Sequence, residues 1–301
     1  MIPKEDKAVP TSIHPETEIG AVRLKITNME NSLRFYEEVI GFRLLKRDGA
    51  IAELSADGHT PLLILEENDQ FRRMPERSVS GLYHFAILVP DRISLGAALR
   101  NMAHHKIPLG QGDHLVSEAL YLNDPDGNGI EVYADRPRDT LQKNEQGEIL
   151  MTTDPVDIDG LLAVSEGAEW NGLPPETKIG HVHFHIGDLQ AAKHFYCDVL
   201  GFDVIARYGS AALFISAGGY HHHIGLNLWA GAGAPPTPED AVGLRYFTIT
   251  VPERGALLEI EQRLSAEGTV FERQADGSAI SLSDPFGIGM KIIATKNEKG
   301  E

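Results

Sequence analysis

The chain has 301 residues, and 27 Lys and Arg stand against 44 Asp and Glu, a formal charge of −17. That acidic balance argues against binding a phosphate backbone, so nucleic acid is not an expected partner. An apolar fraction of 42% supports packed cores, yet no run of about 18 apolar residues offers a membrane span. Residues 1–18 form an N-terminal segment whose first dozen residues read as frayed, without the apolar stretch of a signal peptide. Residues 19–68 then begin IGAVRLKITNMENSLRFYEEVIGF, a strand followed by an amphipathic stretch. Residues 80–135 open on GLYHFAILVP, continue with a helix at Ser94–His105, and close with the strands ALYLND and GIEVY. Asp124-Pro125-Asp126-Gly127-Asn128-Gly129 between those strands is strong turn chemistry. Residues 136–178 are a polar connector. Residues 179–230 hold the alternating strand VHFHI, a helix predicted from Leu189 to Leu200, the stop residue Gly201 and three short strands. After the loop 231–241, residues 242–295 start GLRYFTITVP and end DPFGIGMKII, and 296–301 form a polar tail.

The chain is thus a repeat within a repeat. Ile19-Gly20, Phe35-Tyr36 and Gly41-Phe42 return 160 residues later as Ile179-Gly180, Phe195-Tyr196 and Gly201-Phe202. Each of the four units reads as β-α-β-β-β, which places the fold in the α+β class. The length agrees with two domains, at about 150 residues each: 19–135, holding modules 1 and 2, and 179–295, holding modules 3 and 4. The single cysteine, Cys197, excludes an internal disulfide and fits a cytoplasmic location. Thirteen histidines ask for a further explanation.

Four such modules, with the texts FYxxVxGF and DPDGNGIE repeated in register, resemble the vicinal-oxygen-chelate superfamily. This superfamily includes glyoxalase I, bleomycin-resistance proteins and extradiol ring-cleaving dioxygenases. GLYHFAILVPD, GGYHHHIGLN and DHLVSEALYLNDPDGNGIE are most similar to the bacterial catechol-2,3-dioxygenase group. The resemblance implies two open, cupped barrels, each built from two modules, with a metal inside one of them. It also implies ligands on first and last strands. The matching positions are His84 and His181 on first strands and Glu131 on a last strand. Modules 1 and 4 carry Ala21, Tyr246 and Lys291 at the corresponding positions. Only pairing modules 2 and 3 in one barrel, or exchanging modules across a dimer, therefore completes a set of two histidines and one carboxylate, which suits Fe(II).

The resemblance further implies acid–base residues. His223, with His222 next, matches a histidine on the last strand of module 3. Tyr121 matches a substrate-facing tyrosine, and His114 a second, distal histidine. Strand alternation puts His181, His183 and His185 on one face, so spacing alone does not choose among them. His104-His105 reads as a helix-end cap, Trp170 and Trp229 as core, and Cys197 as packing. The expected activity is cleavage of a small aromatic diol by O2 to a muconic-semialdehyde product, with Fe(II) as cofactor and a homo-oligomer as the common assembly of such relatives. Two alternatives stand beside it. One is a glyoxalase-like isomerase or thiol transferase using Mn, Ni or Zn, and the other is a small-aromatic binding protein. No nucleotide-binding, GxSxG or CxxC motif supports another chemistry.

Overall fold

A computed structural model describes residues 12–296 of the chain. The ends expected to fray therefore lie largely outside the described residues. Module 1 contributes β1 (Glu18–Ile26), α1 (Met29–Arg34), β2 (Arg43–Asp48), β3 (Ile51–Ser55) and β4 (Leu63–Glu67). Module 2 contributes β5 (Gly81–Leu88), α2 (Arg92–His104), β6 (Gly110–Asp113), β7 (Ser117–Asn123) and β8 (Gly129–Asp135). The connector is not featureless: it holds α3 (Ile158–Val164), whose C-terminal Ser165 lies against Arg100 of α2. Module 3 supplies β9 (Lys178–His185), α4 (Leu189–Lys193), β10 (Asp203–Tyr208), β11 (Ala212–Ser216) and β12 (Ile224–Asn227). Module 4 supplies β13 (Gly243–Glu253), α5 (Arg254–Ala266), β14 (Glu272–Arg273), β15 (Ala279–Ser283) and β16 (Gly289–Lys296).

These strands make two curled eight-stranded sheets that cut across the halves of the sequence. One runs β14-β15-β16-β13-β1-β4-β3-β2 and joins modules 1 and 4. The other runs β10-β11-β12-β9-β5-β8-β7-β6 and joins modules 2 and 3. We call them the outer and inner sheets, after the order of their modules along the chain. In each, two first strands pair antiparallel at the centre, β1 with β13 and β5 with β9. Each first strand also pairs in parallel with the last strand of its own module, such as β5 with β8. This register brings the histidine-bearing first strands and the carboxylate-bearing last strand together at one seam.

The helices of modules 1 and 3 are shorter than their apolar pattern suggests. Each α-helix gives way to a π-helical turn, Phe35–Ile40 or His194–Val199. π-turns within helices re-aim side chains, and here the turns hold Tyr36 and Tyr196, both fully buried. Tyr36 Oη donates to Asp124 Oδ2 at 2.9 Å, and Tyr196 Oη donates to Asp284 Oδ2 at 3.0 Å. Each half of the sequence is thereby latched to itself, while each sheet is shared between halves. Gly41 closes the first turn at φ 94°, where a Cβ would lie 2.5 Å from the Trp170 ring, so glycine is required there. One continuous apolar core, including the Phe184–Phe247 contact between the two sheets, fills the space among these elements.

Candidate active site

His84 lies on β5, Glu131 on β8 and His181 on β9, and strand alternation turns all three to the concave face of the inner sheet. They are 6%, 3% and 1% exposed. One ligand atom from each lies within 4.8 Å of the other two. Nε2 of His84 is 3.0 Å from Glu131 Oε2, and Nε2 of His181 is 3.1 Å from the same oxygen. The His181 contact has hydrogen-bond alignment. The His84 contact does not: its Nε2 is buried without a hydrogen-bond partner, as is Nδ1 of His181. A buried imidazole nitrogen held at that range but out of line fits shared coordination better than a hydrogen bond. Donors bound at right angles to one metal, each about 2.1 Å from it, lie about 3.0 Å apart. The donor set and its spacing therefore fit a divalent metal.

Burial alone would raise the Glu131 carboxyl, but His181 and His84 beside it hold it well below the usual range. Burial pushes His181 down to about 4, against the pull of Glu131. The direction consistent with both is an ionised Glu131 carboxylate beside a neutral His181 imidazole, which is the protonation state metal ligation requires.

The other sequence candidates fall in two places. Tyr121 pairs across β7 and β8 with Glu131. Its hydroxyl is 2.6 Å from Nε2 of His114, whose Nδ1 is 2.7 Å from the Thr152 carbonyl. Since that carbonyl only accepts, Nδ1 of His114 carries the proton and Nε2 accepts from the Tyr121 hydroxyl. Burial, followed by the charge of Glu131, drives the Tyr121 hydroxyl well above its ordinary value and keeps it protonated. On the opposite side, the His222 ring lies 4.0 Å from that of His181 and 5.1 Å from Phe214. His223 instead packs on Tyr220, and its Nδ1 accepts from the Ala217 amide at 3.2 Å. Position thus reverses the order the sequence suggested for these two: His222 is beside the triad, and His223 is held by the β11 end.

Several site neighbours were not singled out from sequence. Tyr83 stacks near His84, His185 and Trp229, with centroid distances of 4.9, 4.9 and 5.2 Å. Asn227 links His185 Nδ1 at 2.7 Å to His183 Nε2 at 3.0 Å. Tyr133 packs 4.8 Å from His181, which is possible only because residue 180 is glycine: a Cβ there would lie 1.8 Å from the Tyr133 hydroxyl. Alternation along β8 places Glu131, Tyr133 and Asp135 on one face, a signal available in the sequence. Nothing in the spacing pointed to Asn227. A cavity of about 710 Å³ reaches the triad from the side of Tyr83, His84, Tyr121 and His185, a size suited to a small organic ligand.

Comparison with known proteins agrees with this architecture. The family described as "Glyoxalase/Bleomycin resistance protein/Dioxygenase superfamily" matches residues 18–132 and again 178–292. A catechol-2,3-dioxygenase of Bacillus subtilis (strain 168) is 56% identical over 276 residues, 91% of this chain and 96% of that protein. Among solved structures, a Bacillus subtilis protein aligns with a TM-score of 0.62 at 12% identity, covering 96% of this chain and 86% of the other. Glyoxalase I from Zea mays aligns with a TM-score of 0.55 at 14% identity, over 93% and 92% of the two chains. With both halves matched and each sheet assembled from paired βαβββ modules, the chain belongs to the glyoxalase, bleomycin-resistance protein and dioxygenase superfamily.

Proposed function

We propose that this protein is an extradiol dioxygenase that cleaves catechol or a substituted catechol with O2. The product would be of the 2-hydroxymuconate-semialdehyde type, retaining both oxygen atoms of O2. The observation that carries this reading is the buried His84–Glu131–His181 set at the end of a cavity, in a chain 56% identical to a catechol-2,3-dioxygenase. Two histidines and one carboxylate are the ligand set of non-haem iron(II) oxygenases, and the bound iron would supply Lewis acidity and one-electron chemistry while keeping positions open for other ligands. Manganese, nickel or zinc are the alternatives for the metal.

The remaining steps belong to the chain's own side chains. His222, its ring against that of His181, takes a proton from a catechol hydroxyl and returns it later; burial lowers it well below the ordinary histidine range, so it starts as the neutral base. Tyr121 is kept protonated; its O–H, donated to His114 Nε2 in the free protein, turns to a substrate oxygen on binding. Tyr83 and His185 form an aromatic wall along which a flat ring fits. His223 supports Tyr220 and the turn before β12.

The lone thiol, Cys197, is half-buried and pushed up to about 12 by burial, an unreactive group suited to a reducing cytoplasm. Among the described residues no helix is long and apolar enough to cross a membrane. The test is an assay of iron-reconstituted protein with catechol. A yellow ring-cleavage product with stoichiometric O2 uptake supports the proposal. Turnover that continues unchanged without O2 would point to an isomerase, and tight binding without turnover in iron-loaded protein would point to a binding protein.

A further inference from the structure

Asp135 and His221 are not accounted for by ligation or by substrate contact. Nε2 of His221 lies 2.8 Å from Asp135 Oδ1, and Nδ1 of His221 lies 2.8 Å from Nδ1 of His222. The three groups form a line that starts at a part-exposed carboxylate and ends beside His181. Tyr220 donates to the same carboxylate oxygen at 3.3 Å, and its hydroxyl is 2.6 Å from that of Tyr133. The Tyr220 ring lies 4.1 Å from His221, so the imidazole is clamped in place. Asp135 and Glu131 sit four residues apart on β8, on one face, so a single strand carries both the ligand and the anchor of this line.

Resting on the dioxygenase reading above, we infer that Asp135 and His221 are positioning residues that set the tautomer of His222 and leave its Nε2 as a bare lone pair. The logic is donor and acceptor accounting. A carboxylate only accepts, so Nε2 of His221 carries a proton. With the His221 ring neutral, its Nδ1 is an acceptor. Nδ1 of His222, 2.8 Å away, must then be the N–H. That leaves Nε2 of His222 unprotonated, and among the described residues it has no hydrogen-bond partner. An isolated neutral imidazole favours the opposite tautomer, with the proton on Nε2. In that form His222 would present a donor where the reaction needs a base. A carboxylate that holds a catalytic imidazole in the correct tautomer is the established logic of the serine-protease triad; here the control passes through one intervening ring.

The test uses full-length protein labelled with 15N-histidine, with and without one equivalent of diamagnetic zinc. Two-bond 15N–1H correlations report which nitrogen of His222 is protonated, whether or not the enzyme turns over. The expected wild-type result is Nδ1–H at His222, moving to Nε2–H in His221→Phe and to a mixture in Asp135→Asn. Kinetics supply a second readout: kcat for catechol should fall on the order of 10²-fold in His221→Phe, as for loss of a positioned base, with KM held within about twofold. Nε2–H at His222 in the wild type overturns the inference regardless of how the variants fold. So does an unchanged His222 tautomer in His221→Phe, or full kcat in that variant. Failure of the wild type to cleave catechol would sink the dioxygenase reading instead, and would leave the tautomer result standing.

Discussion

The inner and outer sheets have the same strand order, module for module, and differ in what lines them. Where the inner sheet places His84 and Glu131, the outer sheet places Tyr246 and Lys291. There the lysine Nζ sits 4.2 Å over the tyrosine ring, a cation–π pair in place of two ligands. Beside that pair, Glu66 accepts from both Arg23 and Arg245, at 2.9 and 2.8 Å. The outer sheet thus satisfies its polar groups with one another. The inner sheet leaves a buried imidazole nitrogen of His84 without a hydrogen-bond partner. The contrast teaches that the backbone seam common to both sheets does not specify a site. The side chains at a few register positions do, and a duplicated scaffold can keep the seam for structure alone.

Substitutions at matching positions would break this contrast most sharply. Glu131→Gln should abolish metal retention and cut ring cleavage by on the order of 10³-fold or more, whereas Lys291→Gln in the outer sheet should leave both unchanged; metal analysis and O2 uptake check the pair. Gly180→Ala should cost about 2–3 kcal/mol and displace Tyr133, because the added methyl would collide with the tyrosine hydroxyl. Gly20→Ala, the outer-sheet equivalent, meets only Thr248 and Thr250 methyl and methine groups at 3.1–3.3 Å, so its cost should stay below about 1 kcal/mol in urea unfolding.

The two tyrosine latches allow a comparison by pH. Asp124 accepts a side-chain hydrogen bond from Asn128 at 2.8 Å, and residue 288 at the matching position is isoleucine. Burial raises both carboxyls, and it takes Asp284, which lacks that donor, up to about 6. A carboxyl raised above its unfolded value stabilises the fold when protonated. Its contribution is present below about pH 4 and is lost as pH rises through about 6. Asp284→Asn should remove a stability change on the order of 2 kcal/mol from that window, read by denaturation midpoints at pH 4.5 and 7. The smallest effect is expected at Glu66→Gln. Its arginine partners are about a quarter exposed, so solvent screening limits the loss to about 1 kcal/mol, with catechol cleavage unaffected.

Much of this was legible in the chain. The repeat at 160 residues, the Asp-Pro turns and the alternation of VHFHI dictated four modules, and the asymmetric loss of ligand residues pointed to the pairing of modules 2 and 3. What escaped was set by contacts distant in sequence. The π-helical turns have no signature in apolar periodicity, because Tyr36 and Tyr196 satisfy a helical pattern while reaching carboxylates 88 residues away. His222 and His223 are adjacent in a turn, where no strand period says which faces inward. Only the Ala217 amide and the Ser216 hydroxyl, which hold His223, separate them. Asn227 and Asp135 hydrogen-bond histidines more than 40 residues away, and neither belongs to a recognisable motif.

The nesting of the modules also sets an order of events during synthesis. The strands of the inner sheet are contiguous in the chain, so β5 can meet β9 once residue 185 has emerged. The outer sheet is a bracket around it: β1 ends at Ile26, and its central partner β13 begins only at Gly243. Pairing across so long a loop is slow. A growing chain can therefore assemble the sheet that carries His84, Glu131 and His181 while the first module still waits on the ribosome for the last, exposing an unpaired β1 edge throughout that interval.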